Sequence, residues 1–186
     1  MRKFIKRLIF TQVALFIYLQ VSVGQEVPYG TGNWDPEGLG NHRAVIYVEK
    51  YSDAVMVSIP WRRLDDVENK DLILIDALTN QRIKNIYCLQ KKKDFGEIVF
   101  QPVSGEGKYY LYYMPGRNGG NQWFPEVMYS KPTDIYDKIW KNRSDDHINK
   151  QIGSVIAFES VSDYHSFYPM EVPVTQLELT GLLVFL

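Results

Sequence analysis

A chain of 186 residues with 45% apolar side chains is long enough to bury a packed core, and it reads as one domain of ordinary size. Its 21 basic and 22 acidic residues nearly cancel, to a formal charge of −1 with no long basic block, which excludes nucleic acid as a partner. The single cysteine, Cys88, excludes an internal disulfide, so stability must come from the core.

The chain begins MRKFIKRLIFTQVALFIYLQVSVGQ. Arg2, Lys3, Lys6 and Arg7 precede an apolar run of 16 residues from Leu8 to Val23, and Ser22-Val23-Gly24 puts small residues where a signal peptidase cuts. This predicts a signal peptide over residues 1–24 and a secreted or periplasmic product. The rival reading is a membrane anchor, but the run contains Thr11, Gln12 and Gln20 and falls short of the ~20 apolar residues of a spanning helix. No stable membrane insertion is expected after cleavage, and no cysteine stands at the junction to carry a lipid. Removing four basic and no acidic residues leaves 162 residues with a formal charge of −5.

QEVPYGTGNWDPEGLGNHR follows, with two prolines and four glycines, and reads as loop. RAVIYVEK, AVMVSIPW, DLILIDA, KNIYCLQ, GEIVFQP and KYYLYYM then succeed one another. Each is a short Val-, Ile- or aromatic-rich run bounded by Asp, Asn, Gly, Pro or Lys. Strands at this spacing without intervening helices predict an all-β antiparallel sandwich of about eight strands, with a barrel as the related alternative. Thr79-Asn80-Gln81 and Ser104-Gly105-Glu106-Gly107 read as turns, and Pro60 and Pro102 as strand ends. Lys91-Lys92-Lys93 reads as a solvated turn. Cys88, in an apolar strand-like run, reads as an inert packed thiol rather than a nucleophile.

GKYYLYYMPGRNGGNQWF, residues 107–124, is the most unusual stretch. Strand alternation puts Tyr109, Leu111 and Tyr113 on one face and Tyr110, Tyr112 and Met114 on the other. Both faces are apolar with hydroxyl tips, so a strand covered on both sides is predicted. The following PGRNGGNQWF shows no packing pattern and reads as a loop. Arg117, Asn118, Asn121 and Gln122 there surround Trp123 with hydrogen-bonding groups, a combination suited to the apolar face and hydroxyl edge of a sugar. Burial of Trp123 against a neighbouring domain is the competing reading. Trp34 and Trp61 are further candidate platforms, although Trp61, between Pro60 and two arginines, also reads as a structural cation–π partner. His42-Arg43 reads as a strand start fixed by hydrogen bonds.

Further on, KPTDIYDKIWKNRSDD spaces Ile135, Ile139 and Trp140 for a short helix over residues 133–141, with Pro132-Thr133-Asp134 as its start. GSVIAFES returns to strand, SDYHSFYPMEV is ambiguous between helical turn and loop, and PVTQLELTGLLVFL ends apolar.

Signatures of chemistry are sparse. No two of His42, His147 and His165 are at ligand spacing, and no HExxH occurs, so no metal site and no cofactor are predicted. No G-x-S-x-G elbow occurs, and SGEGK lacks both the first glycine and the Ser or Thr of a phosphate loop. The acidic pairs Asp65-Asp66, Asp134 with Asp137 and Asp145-Asp146 read as solvated loop residues rather than as a glycosidase pair. A calcium site from Asp145, Asp146 and Asn149 does not match the EF-hand spacing.

The order LGNHRAVIYV, VSIPWRR, FGEIVFQP, GKYYLYYMP and FYPMEV, spanning Trp34 to Val172, resembles the N-terminal β-sandwich domain of glycoside hydrolase family 123 and related secreted bacterial proteins. The resemblance implies a sandwich that precedes a (β/α)8 barrel in the same chain. It implies β-N-acetylgalactosaminidase-type activity, with the substrate's acetamido group as nucleophile and an Asp-Glu pair on the barrel. No such residue can be carried over, because a barrel needs about 200 residues or more and 14 follow Val172. The domain division expected is therefore a signal peptide over 1–24, a sandwich over 25–172 and a truncated linker or tail over 173–186. The function expected is a non-catalytic accessory domain with N-acetylgalactosamine-containing glycans as possible ligands. A freestanding carbohydrate-binding module is the alternative, and a hydrolase in its own right ranks third.

Overall fold

The structure, a computed structural model, describes residues 27–61, 67–113, 115–120, 123, 125–133, 135–146 and 151–161. The signal peptide and the C-terminal tail expected from the sequence lie outside these residues. Eleven strands and one helix are present among them. In chain order they are β1 (Tyr29–Thr31), β2 (His42–Val48), β3 (Val55–Ile59), β4 (Leu72–Asp76), β5 (Ile86–Lys91), β6 (Gly96–Phe100), β7 (Gly107–Tyr113), β8 (Gly116–Gly120), β9 (Pro125–Tyr129), α1 (Lys138–Asp146), β10 (Gln151–Ile152) and β11 (Ser154–Ser160).

Two sheets face each other in a sandwich-like arrangement. One has the order β1-β11-β2-β7-β4 and the other β10-β3-β6-β5, while β8 and β9 form a separate ribbon. Alternation explains the core. Val55, Val57 and Ile59 of β3, Leu72 and Leu74 of β4, and Ile98 and Phe100 of β6 point inward, and Ala44, Ile46 and Val48 of β2 meet them. Tyr109, Leu111 and Tyr113 of β7 complete this cluster, as the face assignment predicted.

The sequence reading is corrected in four respects. The strand count among the described residues is eleven rather than about eight, because β1, β8, β9 and β10 lack the run of Val, Ile and aromatic residues that marks the others. The sheets are mixed rather than wholly antiparallel. Strand β11 inserts antiparallel to β2, and since the 32–41 loop reverses the chain between β1 and β2, the same β11 must run parallel to β1. One residue, Gly153, separates β10 from β11, so a single chain run leaves one sheet and joins the other. A Cβ on Gly153 would stand 3.0 Å from Val55, and its N–H donates to the Met56 carbonyl at 2.8 Å.

The glycine-rich segment read as loop is the first arm of the ribbon, with Gly116 to Gly120 opposite Tyr129 to Pro125. Backbone pairing there needs no apolar alternation, which is why periodicity missed it. Finally, the helix spans 138–146 rather than 133–141. Asp137 caps it: its Oδ1 accepts the N–H groups of Ile139 at 2.7 Å and Trp140 at 3.3 Å. Of the apolar triad behind the prediction only Trp140 is buried, while Ile135 and Ile139 are exposed.

Helix α1 covers the outer face of the smaller sheet. Trp140 packs with Ala54, Tyr87 and Val99, and its indole N–H donates to the Asp53 carbonyl at 2.9 Å. Arg143 reaches the Asp53 carboxylate at 2.7 Å. The turns fell as read: Asn80 has φ 55°, and Gly105 and Gly107 have φ 79° and 139° where the chain crosses from β6 to β7. Strands β3 and β6 end just before Pro60 and Pro102.

Gly96 marks the closest approach in the core, because a Cβ there would collide with the Trp61 indole. Gly96→Ala is expected to lower stability by about 1–3 kcal/mol through overpacking. Urea unfolding of the variant measures it; an unchanged midpoint would show that Trp61 has room to move.

Candidate functional site

A polar cluster lies on the outer face of the larger sheet, around Arg43. Arg43 on β2 and Glu159 on β11 are register partners, so the pairing itself sets them side by side. Arg43 Nε donates to Glu159 Oε2 at 2.7 Å and Nη2 approaches the same oxygen at 2.6 Å. Nη1 donates to the Tyr112 hydroxyl at 3.0 Å. The guanidinium carbon sits 3.7 Å from the Tyr110 ring centroid and 4.5 Å from that of Trp34. Burial disfavours the Arg43 charge, but the bonds to Tyr112 and Glu159 outweigh this and hold its pKa above the ordinary arginine value. A guanidinium so enclosed acts as a structural clamp and has no face left for a ligand.

The candidate sugar-binding residues separate into three places. Trp34 is half-buried in this clamp, its indole N–H donating to the Gly40 carbonyl at 2.9 Å and its ring edge-on to Tyr112 at 5.6 Å. Trp61 is 2% exposed, stacks on Tyr113 at 6.2 Å and donates to the Lys92 carbonyl at 2.7 Å. It is a core residue, so its role as a platform is corrected; Arg62 and Arg63, its supposed cation–π partners, lie outside the described residues. Trp123, at the turn of the β8–β9 ribbon, is 81% exposed. Arg117 on β8 forms an exposed ion pair with Glu37 at 3.2 Å, which ties the ribbon to the loop carrying Trp34. Asn118 lies on β8 opposite Val127, while Asn121 and Gln122 fall outside the described residues.

The acidic candidates are likewise absorbed by structure where they are described. Asp145 accepts the Tyr87 hydroxyl at 2.6 Å and pairs with Lys141 at 2.7 Å. Asp65, Asp66, Asp134 and Asn149 lie outside the described residues. Among the described residues no three His, Cys, Asp or Glu side chains gather as metal ligands. Cys88 is half-buried, in no disulfide, and packed against the core.

A family model described as "Glycoside hydrolase 123, N-terminal domain" matches residues 32–161. The chain belongs to this family. The match runs from the residue after β1 to the residue after β11, so it takes in the smaller sheet and all of the larger one except its edge strand β1, and FYPMEV at 167–172 lies beyond it. Comparison with curated proteins and with solved structures returned no match. Within this glycoside hydrolase 123 N-terminal domain, the motifs behind the resemblance meet on one strand. GNHRA supplies Arg43 beneath Tyr110 and Tyr112, and His42 stacked on Tyr113 at 6.5 Å. IPWRR supplies Trp61, which also stacks on Tyr113, and the YYLYY of YYLYYMP lies in β7. Glu159, which completes the clamp, carried no sequence signal, because nothing local marks a partner 116 residues away.

Two tyrosines make the domain alkali-sensitive. Burial, with Asp145 beside Tyr87 and Asp76 beside Tyr109, pushes both phenols up to about 12. The folded state keeps their protons where the unfolded chain, near pKa 10, has lost them. Their contribution is therefore full below pH 10 and is lost as pH rises toward 12. Thermal unfolding should show Tm falling across that window, with a shallower fall in Tyr109→Phe; equal slopes would remove Tyr109 from the account. Arg43→Ala, which strands Glu159, is expected to cost about 3–5 kcal/mol, and Arg43→Lys less. Equilibrium unfolding measures both, and a near-neutral Arg43→Ala would show that the clamp is dispensable.

Proposed function

We propose that the chain is a non-catalytic accessory domain of a glycoside hydrolase 123-type protein, exported to the bacterial periplasm or exterior by residues 1–24, that supports a catalytic barrel. The observation that carries this reading is the extent of the family match, which takes in α1 and every strand of the two sheets except β1. The charged residues described support it, since Arg43–Glu159, Arg82–Asp71 and Arg143–Asp53 join one element of the fold to another. One end of the sandwich offers a place for a barrel. There Tyr51, Leu78 and Val103 are exposed on three neighbouring loops. The loops abut: a Cβ on Gly105 would touch Tyr51 at 3.4 Å, and Ser104 helps hold the carboxyl of Asp76, at the base of the Leu78 turn, below its ordinary pKa. Exposed apolar groups gathered in this way mark a docking surface.

A second reading, a freestanding carbohydrate-binding module, is favoured by the exposure of Trp123 at the ribbon turn. The two separate in one set of measurements on the full chain. An accessory domain is expected to bind a separately produced family 123 barrel, to lose at least tenfold in affinity in Leu78→Asp, and to release no chromophore from an aryl β-N-acetylgalactosaminide by itself. Turnover by the chain alone would overturn the reading. Saturable quenching of tryptophan fluorescence by N-acetylgalactosamine oligosaccharides, abolished in Trp123→Ala, would select the module.

A further inference from the structure

A cleft of about 400 Å³ opens between β5, the segment leading into β4, Pro132, Thr133 and Tyr136, and α1, and shares no lining residue with the Arg43 clamp. It falls within the size range of small-molecule sites. Its chemistry is unusual in being charge-balanced. Three carboxylates line it, Glu68, Asp71 and Asp145, and three ammonium groups, Lys70, Lys91 and Lys141.

Most of these groups are held in place. Asp71 accepts from Arg82 at 3.2 Å and from Thr133 at 3.5 Å. Lys91 donates to the Lys70 carbonyl, and Lys70 lies over the Tyr129 ring at 3.7 Å. Asp145 is fixed between Tyr87 and Lys141. The apolar part of the wall is aromatic, with Tyr136 half-buried and edge-on to Tyr87 at 6.1 Å.

That combination selects a ligand class by elimination. An apolar ligand would strip water from ionised side chains without replacing their hydrogen bonds, which is costly. An anion or a cation meets as many like charges as opposite ones, so no net field draws it in. A neutral polyol can donate to the carboxylates and accept from the ammonium groups at once, while its C–H face lies on a tyrosine ring. We propose that this cleft is a binding site for a short neutral saccharide, with Tyr136 as its aromatic wall and Glu68, Asp71 and Thr133 as polar contacts. The site is separate from Trp123 and does not depend on the accessory role.

Cys88 lines the cleft and is the chain's only cysteine, which provides a local reporter. The full chain would be alkylated with iodoacetamide in the presence of N,N′-diacetylchitobiose, of its cationic deacetylated form, and of an anionic hyaluronan disaccharide. Amide chemical shifts of an isotope-labelled sample would be recorded in parallel. The neutral probe is expected to slow Cys88 alkylation saturably and to shift the amides of Thr133 and Tyr136. The charged probes should bind at least tenfold more weakly. The effect should persist in Trp123→Ala and fall at least tenfold in Tyr136→Ala. Should Tyr136→Ala disturb the helix packing, the exposed rim pair Glu68→Gln and Thr133→Ala serves instead. No shift and no protection at millimolar probe, equal or tighter binding of a charged probe, or a response that vanishes with Trp123 would each overturn the assignment. A failed barrel-docking experiment leaves it untouched, so the two proposals fail independently.

Discussion

Strand β7 is covered on both faces, and the rest of the domain is arranged around that constraint. It lies between β2 and β4 in the larger sheet. Inward, Tyr109, Leu111 and Tyr113 complete the core, with Phe100 and Tyr109 in ring contact at 5.2 Å. Outward, Tyr110 and Tyr112 cannot be left bare, and the solution is an arginine rather than an aliphatic cover. The Arg43 guanidinium sits over the Tyr110 ring, and Glu159 neutralises it. A planar cation can stack on a ring and still donate in its own plane, so one side chain provides cover, register and an ion pair together.

The same logic recurs on the smaller sheet with different chemistry. Val99 of β6 and Tyr87 of β5 face outward, and α1 closes over them with Trp140. Asp53 holds the helix from the β2–β3 loop through the Trp140 indole and Arg143. Covers on both outer faces leave the loops at one end, the ribbon turn and the cleft beside α1 as the surfaces with chemistry to offer. The first is apolar, the second carries an exposed indole, and the third is polar and charge-balanced.

Much of this architecture was legible in residue order. The seven Val-, Ile- and aromatic-rich runs are β2 to β7 and β11, and the two-sided burial of β7 follows from its alternation. The ribbon was not legible, because Gly116 to Gly120 pair through their backbone alone and offer no side-chain period. The helix boundary was misplaced because a helix begins where a side chain caps it. Asp137 does so only with its own N–H held by the Asn85 side chain, 52 residues earlier. The candidate platforms looked alike as sequence, yet Trp61 is core, Trp34 is part of the clamp and Trp123 is exposed.

The sequence by itself determined the β-rich class, the strand runs, the turns at Asn80 and Gly105, and the family. These depend on short-range periodicity, on backbone preference and on the order of motifs. Only the tertiary structure decided which charges are clamps and which tryptophan is exposed. It also decided that acids and lysines from the segment before β4, from β5 and from α1 share one cleft. Those properties depend on which strands become neighbours, and the partners that set them, Arg43 with Glu159 above all, stand far apart along the chain and meet only when the sheet closes.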